Sequence, residues 1–290
     1  MALSDHAPAK VNLTLAVLGR RLDGYHALDS LVVFAQARDR VTFEPGKALA
    51  LKLSGPHAAQ AGAIDDNLVL KAARALASDV PGLNLGAFIL DKRLPVAAGL
   101  GGGSSDAAAA LRILARANRL SLNDPRLFKV AGRIGADVPV CIDPRPRRMR
   151  GIGEILSPPL AIPKLAAVLV NPGVAMPTKD VFALLDFKPG APLKAVPRAR
   201  NPPDDFDRLI EFLSAQGNDL ERPAIKLQPA IARVLAALRK EPGCRLARMS
   251  GSGATCFALF DSVRVAHAAA RTLRSAHPQW WVRASLLGSG

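Results

Sequence analysis

Three groups of residues in this sequence have types and spacing that could do chemistry. The first is Leu94-Pro95-Val96-Ala97-Ala98-Gly99-Leu100-Gly101-Gly102-Gly103-Ser104-Ser105-Asp106, with four glycines in five positions ahead of two serines. Backbone without Cβ atoms can approach a polyanion closely, and the N–H groups of a helix's first turn carry partial positive charge. The run opens onto Ala107-Ala108-Ala109-Ala110-Leu111, a strong helix former that a linker would not need. It therefore reads as a phosphate cradle feeding a helix, with Ser104 or Ser105 as N-cap, although a glycine run also suits a flexible loop. The second group is Asp137, one carboxylate inside the apolar run Gly135–Cys141; the third is Lys10, at the start of an apolar strand. A cradle, a cation and a carboxylate are the ingredients of phosphoryl transfer, where a cation meets developing charge and a carboxylate meets the acceptor hydroxyl. Taken singly, Asp137 suits a turn or cap and Lys10 a solvated strand edge.

Other chemistries are excluded by pattern. The glycine stretch has Ser104 where a dinucleotide fingerprint needs its third glycine, and no G-K-[ST] occurs in the chain. There is no H-E-x-x-H, no C-x-x-C, and no G-x-S-x-G around Ser252, because position 250 is Ser. Five scattered histidines indicate neither a zinc site nor a triad, so no resident metal is expected.

The bulk numbers fit this reading. With 290 residues and 49% hydrophobic content, the chain can build one large or two ordinary domains with a real core. No apolar run is long enough to span a bilayer, and Asp5 and Lys10 precede no cleavage-site pattern. Cys141, Cys244 and Cys256 are odd in number, far apart and without metal-ligand spacing, which points to reduced thiols in a cytoplasmic protein. Lysine and arginine exceed aspartate and glutamate by 39 − 24 = 15. Such a field attracts polyanions, but aromatics at 4% are too sparse for a platform that tracks single-stranded nucleic acid. The one local basic cluster is Arg145, Arg147, Arg148 and Arg150.

The elements that must position these groups follow from periodicity and turn residues. Strands are expected over Lys10–Leu18 and Tyr25–Ala35 as a hairpin, over Val41–Phe43 and Leu49–Leu53 around a Pro45-Gly46 turn, and over Leu83–Leu90. Helices are expected at Asp66–Ala77, after the glycine loop, and from an Asp124 cap to near Gly132. Beyond a Gly151-Ile152-Gly153 turn come a strand at Leu165–Val170 and a helix opened by Pro177 and Thr178. Phe187–Pro203, with five prolines, reads as loop. Helices at Asp204–Leu213 and Pro229–Arg239 follow. Strands at Leu246–Met249 and Thr255–Phe260 flank a second loop, Ser250-Gly251-Ser252-Gly253. A helix over Val263–Ser275 and a strand over Trp281–Leu286 close the chain. Strands and helices mix without strict alternation, which argues for α+β, with a domain boundary near residue 155 separating 1–155 from 156–290.

Pro95–Asp106 resembles the phosphate-binding motif of the galacto-, homoserine, mevalonate and phosphomevalonate kinase superfamily. Within it, Ala7-Pro8-Ala9-Lys10-Val11-Asn12-Leu13, Gly24-Tyr25-His26, Gly135-Ala136-Asp137-Val138-Pro139-Val140, Asn218-Asp219-Leu220-Glu221 and Ser250-Gly251-Ser252-Gly253-Ala254-Thr255 are similar, in order, to the family of 4-diphosphocytidyl-2-C-methyl-D-erythritol kinases. The resemblance runs from residue 7 to about 260.

It implies a two-domain α+β fold, the N-terminal domain like the ribosomal-protein S5 second-domain fold and the C-terminal one a ferredoxin-like α/β sandwich, with ATP and acceptor meeting in a cleft. It also implies transfer from ATP, accompanied by Mg2+, to the 2-hydroxyl of the cytidine-diphosphate-linked methylerythritol. By the same resemblance Asp137 is the catalytic base with Lys10 beside it, and Pro95, Val96, Ala97, Ala98, Gly99, Leu100, Gly101, Gly102, Gly103, Ser104 and Ser105 form the ATP phosphate loop. Tyr25, His26, Thr178 and Phe182 match positions that hold the cytidine, and Asn12 lies near the reacting groups. The partners implied are small molecules, with no nucleic acid or membrane, and the chain a monomer or weak dimer. Arg145–Arg148 departs from the family pattern, in what reads as a connecting loop. A sibling kinase for a simpler alcohol and an RNA-binding protein of related fold remain as alternatives; the first has no need of Tyr25 and Phe182 as a base clamp, and the second leaves Asp137 and the glycine loop without a role.

Overall fold

A computed structural model describes residues 2–194 and 201–288. It is α+β, and its two compact units interleave in sequence. One holds the residues up to Lys10, Ala37–Val96 and Gly101–Pro144; the other holds Val11–Gln36, Ala97–Leu100 and the residues from Arg145 onward. The last passage between them falls at Pro144.

The first unit takes the leading residues of strand β1 (Leu3–Arg20) and the trailing residues of β2 (His26–Pro45). It continues with β3 (Ala50–Ser54), α1 (Leu68–Asp79), β4 (Gly86–Asp91), α2 (Gly102–Ala117), α3 (Pro125–Ile134) and α4 (Val138–Ile142). Strand β4 runs antiparallel to β2, from Arg40 opposite Asp91 to Pro45 opposite Gly86, and parallel to β3 on its other side. Val41–Phe43 is therefore the end of β2 and not a separate strand, and β3 does not fold back onto it. Parallel neighbours need a crossover, and α1 supplies it between β3 and β4.

Local sequence accounts for the helices around this sheet. Asn67 caps α1 by accepting the Val69 N–H, and Val69, Leu70, Ala72, Ala73 and Leu76 line its buried face. Asp124 caps α3 with Pro125 at the first helical position, as the sequence indicates. Helix α2 is buried from Ser105 to Ala115, and its four consecutive alanines let neighbouring helices approach closely. Within that face Arg112 is itself buried, donating from Nε to Asp5 Oδ2 (3.0 Å), from Nη1 to the Cys141 carbonyl (2.6 Å) and from Nη2 to the His6 carbonyl (2.7 Å). One guanidinium thus ties β1, α2 and α4 together.

The second unit adds β5 (Arg147–Gly151), β6 (Ile155–Leu156), β7 (Leu165–Asn171), α5 (Thr178–Ala183), α6 (Phe206–Ser214), α7 (Glu221–Leu227), α8 (Ala230–Lys240), β8 (Cys244–Met249), β9 (Cys256–Phe260), α9 (Val263–Ala276) and β10 (Trp281–Gly288). Its sheet runs β2-β10-β7-β9-β8, antiparallel throughout. β7 is buried along its whole length, and it is apolar from Leu165 to Val170 before ending on the buried Asn171. Val234, Leu235 and Leu238 of α8 and Ala266, Ala270 and Leu273 of α9 pack into the core with it. Arg147, Arg148 and Arg150 of the basic cluster are not in a loop: β5 pairs with β2, and Asp29 takes Arg148 Nη1 at 2.8 Å and Arg150 Nε at 3.0 Å. Helix α7, with Pro223 in its first turn and no side-chain cap, carries no sequence signal strong enough to announce it. Of the proline-rich stretch, residues 187–194 and 201–203 carry no helix or strand beyond an isolated bridge between Pro189 and Arg20, and residues 195–200 lie outside the described residues.

Candidate active site

Lys10 does not begin a strand. It lies in the middle of β1, 4% exposed, with Ala9 and Val11 buried on either side. A buried ammonium needs a partner, and Lys10 Nζ donates to Asp137 Oδ1 at 2.9 Å. Asp137 stands at the N-cap position of α4 with its side chain 37% exposed, so one oxygen is committed to the lysine while the carboxylate stays accessible.

Directly beside this pair is Gly101. It, and neither Ser104 nor Ser105, is the N-cap of α2, in the left-handed region at φ 60°. Of the two serines expected to cap, Ser105 lies inside the helix and its Oγ donates to the Pro8 carbonyl at 2.7 Å. A Cβ built on Gly101 would stand 3.2 Å from Lys10 Cε and 3.7 Å from Asp137 Oδ2. Three motifs far apart in sequence therefore converge within the first unit on one ammonium, one carboxylate and one helix start. The first N–H groups of α2 have no partner inside the helix and carry the positive end of its dipole, which suits an anion.

A second charged group, not singled out from sequence, sits under the same helix start. Lys92 Nζ lies 2.5 Å from Asp39 Oδ2 and 2.6 Å from Asp106 Oδ2, and all three side chains are buried. Asp39 Oδ1 also accepts the N–H groups of Arg93 and Leu94, at 2.5 and 2.7 Å. This pins the chain just before Pro95, and Lys92 links it to Asp106 in α2. A Cβ on Gly102 would come 3.1 Å from Lys92 Nζ, so this glycine makes room for the lysine. Burial pushes the Asp106 carboxyl up to about 7, a rise that Lys92 opposes and Asp39 reinforces. Asp106 Oδ1 has no hydrogen-bond partner among the described residues. Nothing local in the sequence marks this group, since Asp39 stands between Arg38 and Arg40 and Lys92 between Asp91 and Arg93.

In the second unit the other glycine–serine loop holds part of the first. Ser250 Oγ donates to the Gly99 carbonyl (3.0 Å) and accepts the Asn12 N–H (3.1 Å), and Thr255 donates its N–H to the Ala98 carbonyl (3.1 Å). Gly99 has φ 74°, and a Cβ there would be 2.4 Å from the Ser250 carbonyl oxygen. Asn218 donates to the Met249 and Gly251 carbonyls, and buried Arg248 donates to the Leu13, Leu213 and Gln216 carbonyls. The Asn12 amide donates to Ser30 Oγ at 2.7 Å.

The residues matched to a cytidine site also fall in this unit, although sequence reading placed Tyr25 and Phe182 in different domains. Tyr25 is 59% exposed and is no core residue. Phe182, half-buried in α5, faces the His26 ring at 4.8 Å between centroids. Burial, then the charge of Arg20, lowers the His26 pKa and favours its neutral form. Thr178 Oγ1 and Ser252 Oγ share a hydrogen bond of 2.9 Å. Burial pushes the Cys141 thiol up to about 12 and the Cys256 thiol well above its ordinary value, which disfavours the thiolate at both.

Residues 67–143 match the model of the GHMP kinases N terminal domain, and residues 193–279 match that of the GHMP kinases C terminal domain. A 4-diphosphocytidyl-2-C-methyl-D-erythritol kinase of Xanthobacter autotrophicus is 57% identical over 285 residues, covering 97% of either chain, and one of Methylobacterium radiotolerans is 58% identical, covering 98% of this chain and 99% of its own. The chain belongs to the GHMP kinases, and within them to the 4-diphosphocytidyl-2-C-methyl-D-erythritol kinases. A crystal structure of a 4-(cytidine 5'-diphospho)-2C-methyl-D-erythritol kinase is similar with a TM-score of 0.77 and 35% identity, covering 99% of this chain and all of that one. The GHMP fold extends further: a homoserine kinase from Cytophaga hutchinsonii, 18% identical, superposes with a TM-score of 0.73 over 99% of this chain and 95% of its own.

Two outcomes are expected of this kinase loop. Gly101→Val should drive a side chain against Lys10 and Asp137, abolishing turnover while the core survives; unchanged kcat in that variant contradicts the close approach. For Asp106, a folded-state pKa above the unfolded carboxylate value means that the native state holds the proton more tightly, so stability falls as pH rises from about 4 through 7. Asp106→Asn keeps an acceptor for Lys92 and removes the charge, so its gain over the parent should be larger at pH 8 than at pH 5. Urea denaturation at both pH values reads this, and equal differences would count against the buried surplus charge.

Proposed function

We propose that this chain transfers the γ-phosphoryl group of ATP to the 2-hydroxyl of 4-diphosphocytidyl-2-C-methyl-D-erythritol, a step of non-mevalonate isoprenoid precursor synthesis. The observation that carries the proposal is the convergence of Lys10, Gly101 and Asp137 in a chain of this kinase family. The acceptor oxygen attacks the γ-phosphorus, the bond to the β–γ bridging oxygen breaks, ADP leaves, and the hydroxyl proton passes to Asp137. Lys10 orients that carboxylate and offsets charge on the transferring group, and Pro95–Ser105 hold the phosphates, with magnesium arriving as part of the ATP substrate. Among the described residues no cluster of three or more His, Cys, Asp or Glu is arranged to hold a metal.

On this reading Tyr25 and Phe182 flank the cytosine, His26 reads its edge, and Asn12 and Thr178 complete the acceptor site. A net charge of +15 speeds encounter with two polyanionic substrates and needs no nucleic acid to explain it. No helix of the described residues is long and apolar enough to cross a membrane. We place the enzyme in the cytoplasm as a monomer or weak dimer, with domains 1–155 and 156–290; residue 155 falls between the two family segments.

Coupled measurement of ADP release with the cytidine-diphosphate substrate, mevalonate and homoserine tests the assignment, and preference for either simple alcohol would overturn it. In that assay Asp137→Asn should lower kcat by about 10²- to 10⁴-fold with ATP affinity nearly intact. Lys10→Ala should likewise reduce kcat more than affinity, whereas near-parental turnover in both variants would remove the assigned roles. Tyr25→Leu should weaken the cytidine substrate by about 5- to 150-fold, the effect of losing one base–aromatic stack, without altering ATP binding or thermal stability. Equal affinity in the leucine variant would reject the base clamp.

A further inference from the structure

Residues 187–194 form a strap along the end of β1. The Gly190 N–H donates to the Arg20 carbonyl (2.9 Å) and the Lys194 N–H to the Leu18 carbonyl (2.8 Å). Side chains reinforce the seam: a Cβ on Gly190 would stand 2.6 Å from Leu22 Cδ2, and one on Gly19 would stand 2.9 Å from Leu193 Cδ2. At the head of the strap is Phe187, whose ring meets His26 edge-on, 6.2 Å between centroids at 67°. Phe182 meets the same imidazole at 4.8 Å and 32°. Lys194 closes the strap on itself, its ammonium 4.9 Å over the Phe187 ring.

Two phenyl rings packed on one imidazole limit its rotation and keep water from it. His26 Nε2 is buried and has no hydrogen-bond partner among the described residues, an expensive state for a polar atom unless something else meets it. We propose that Phe187 is a specificity-determining positioning residue: with Phe182 it fixes the His26 ring so that Nε2 is reserved for a hydrogen bond to the edge of a pyrimidine base. This rests on the cytidine reading above but assigns a role to a residue and a segment which that reading leaves out. The charged groups near the ring are Arg20, which also disfavours imidazolium, and Lys194, on the strap and in contact with Phe187.

The test uses the full chain with Phe187→Leu, Phe187→Tyr and Lys194→Met. Steady-state kinetics with the cytidine-diphosphate substrate and ATP varied separately are combined with NMR titration of His26, assigned by loss of its signal in His26→Asn. Phe187→Leu should raise the acceptor KM about 3- to 10-fold, the scale of one aromatic contact, with kcat and the ATP KM near parental values. Its His26 titration should move up toward 6.5 as water gains access. Phe187→Tyr should restore both readouts, and Lys194→Met, which leaves the ring in place, should shift both in the same direction by less. Unchanged acceptor KM with unchanged His26 titration in Phe187→Leu overturns the proposal. So does a lowered Tm with kcat and both KM values shifted together, which is what a merely structural phenylalanine would give. If Phe187→Leu fails to fold, an unmoved acceptor KM and His26 titration in Lys194→Met overturn it instead. If the parent does not turn over the cytidine substrate, the functional reading fails, and the titration alone then decides whether Phe187 holds His26.

Discussion

The first unit depends on placing one ammonium where water cannot reach it. Lys10 lies mid-strand in β1, and a buried cation is tolerated only with a close counter-charge and good geometry. Asp137 supplies the charge, which fixes the start of α4 against β1. The start of α2 then has to pass over the pair, and at Gly101 a Cβ would stand only 3.2 Å from the Lys10 side chain. Arg112 secures the same three elements further along, taking Asp5 and two carbonyls at once. The groups that would do chemistry are also groups that the packing requires.

Both glycine loops are braced by buried polar side chains as well as by backbone hydrogen bonds. In the first unit Asp39 grips the N–H groups entering the loop, and Lys92 connects them to α2. In the second, Asn218 satisfies the Met249 and Gly251 carbonyls beside and within the Ser250–Gly253 loop, Ser250 holds Gly99, and Thr255 holds Ala98. Burying such groups contributes little net stability but penalises every alternative arrangement in which one of them loses its partner. A loop with many glycines would otherwise sample many conformations at a large entropic cost to binding. The braces remove that freedom before any ligand arrives.

The aromatic side of the second unit follows a different logic. Aromatics are scarce in the chain, yet His26, Phe182 and Phe187 are gathered around one buried nitrogen. Tyr25 next to them is left largely in water. Rings that are partly packed and partly open are suited to meeting a flat ligand, since they present area at little cost in side-chain entropy.

What the sequence by itself determined is what short-range physics controls. The Asp124-Pro125 start of α3, the apolar spacing of α1, the continuous run of β7 and the glycine loop ahead of an alanine-rich helix are all legible locally, because caps, periodicity and missing Cβ atoms act within a few residues. The order of the motifs named the family for the same reason. Tertiary structure alone decided that Lys10 is buried and paired across 127 positions with Asp137, and that Lys92 reaches Asp39 and Asp106. It also decided that β4 inserts beside β2, and that the basic cluster forms β5 against Asp29. The N-cap of α2 is Gly101, and the Ser105 hydroxyl meets the Pro8 carbonyl, a partner 97 positions away. Each of these turns on which charge or carbonyl a side chain meets across the fold, and no local pattern carries that information.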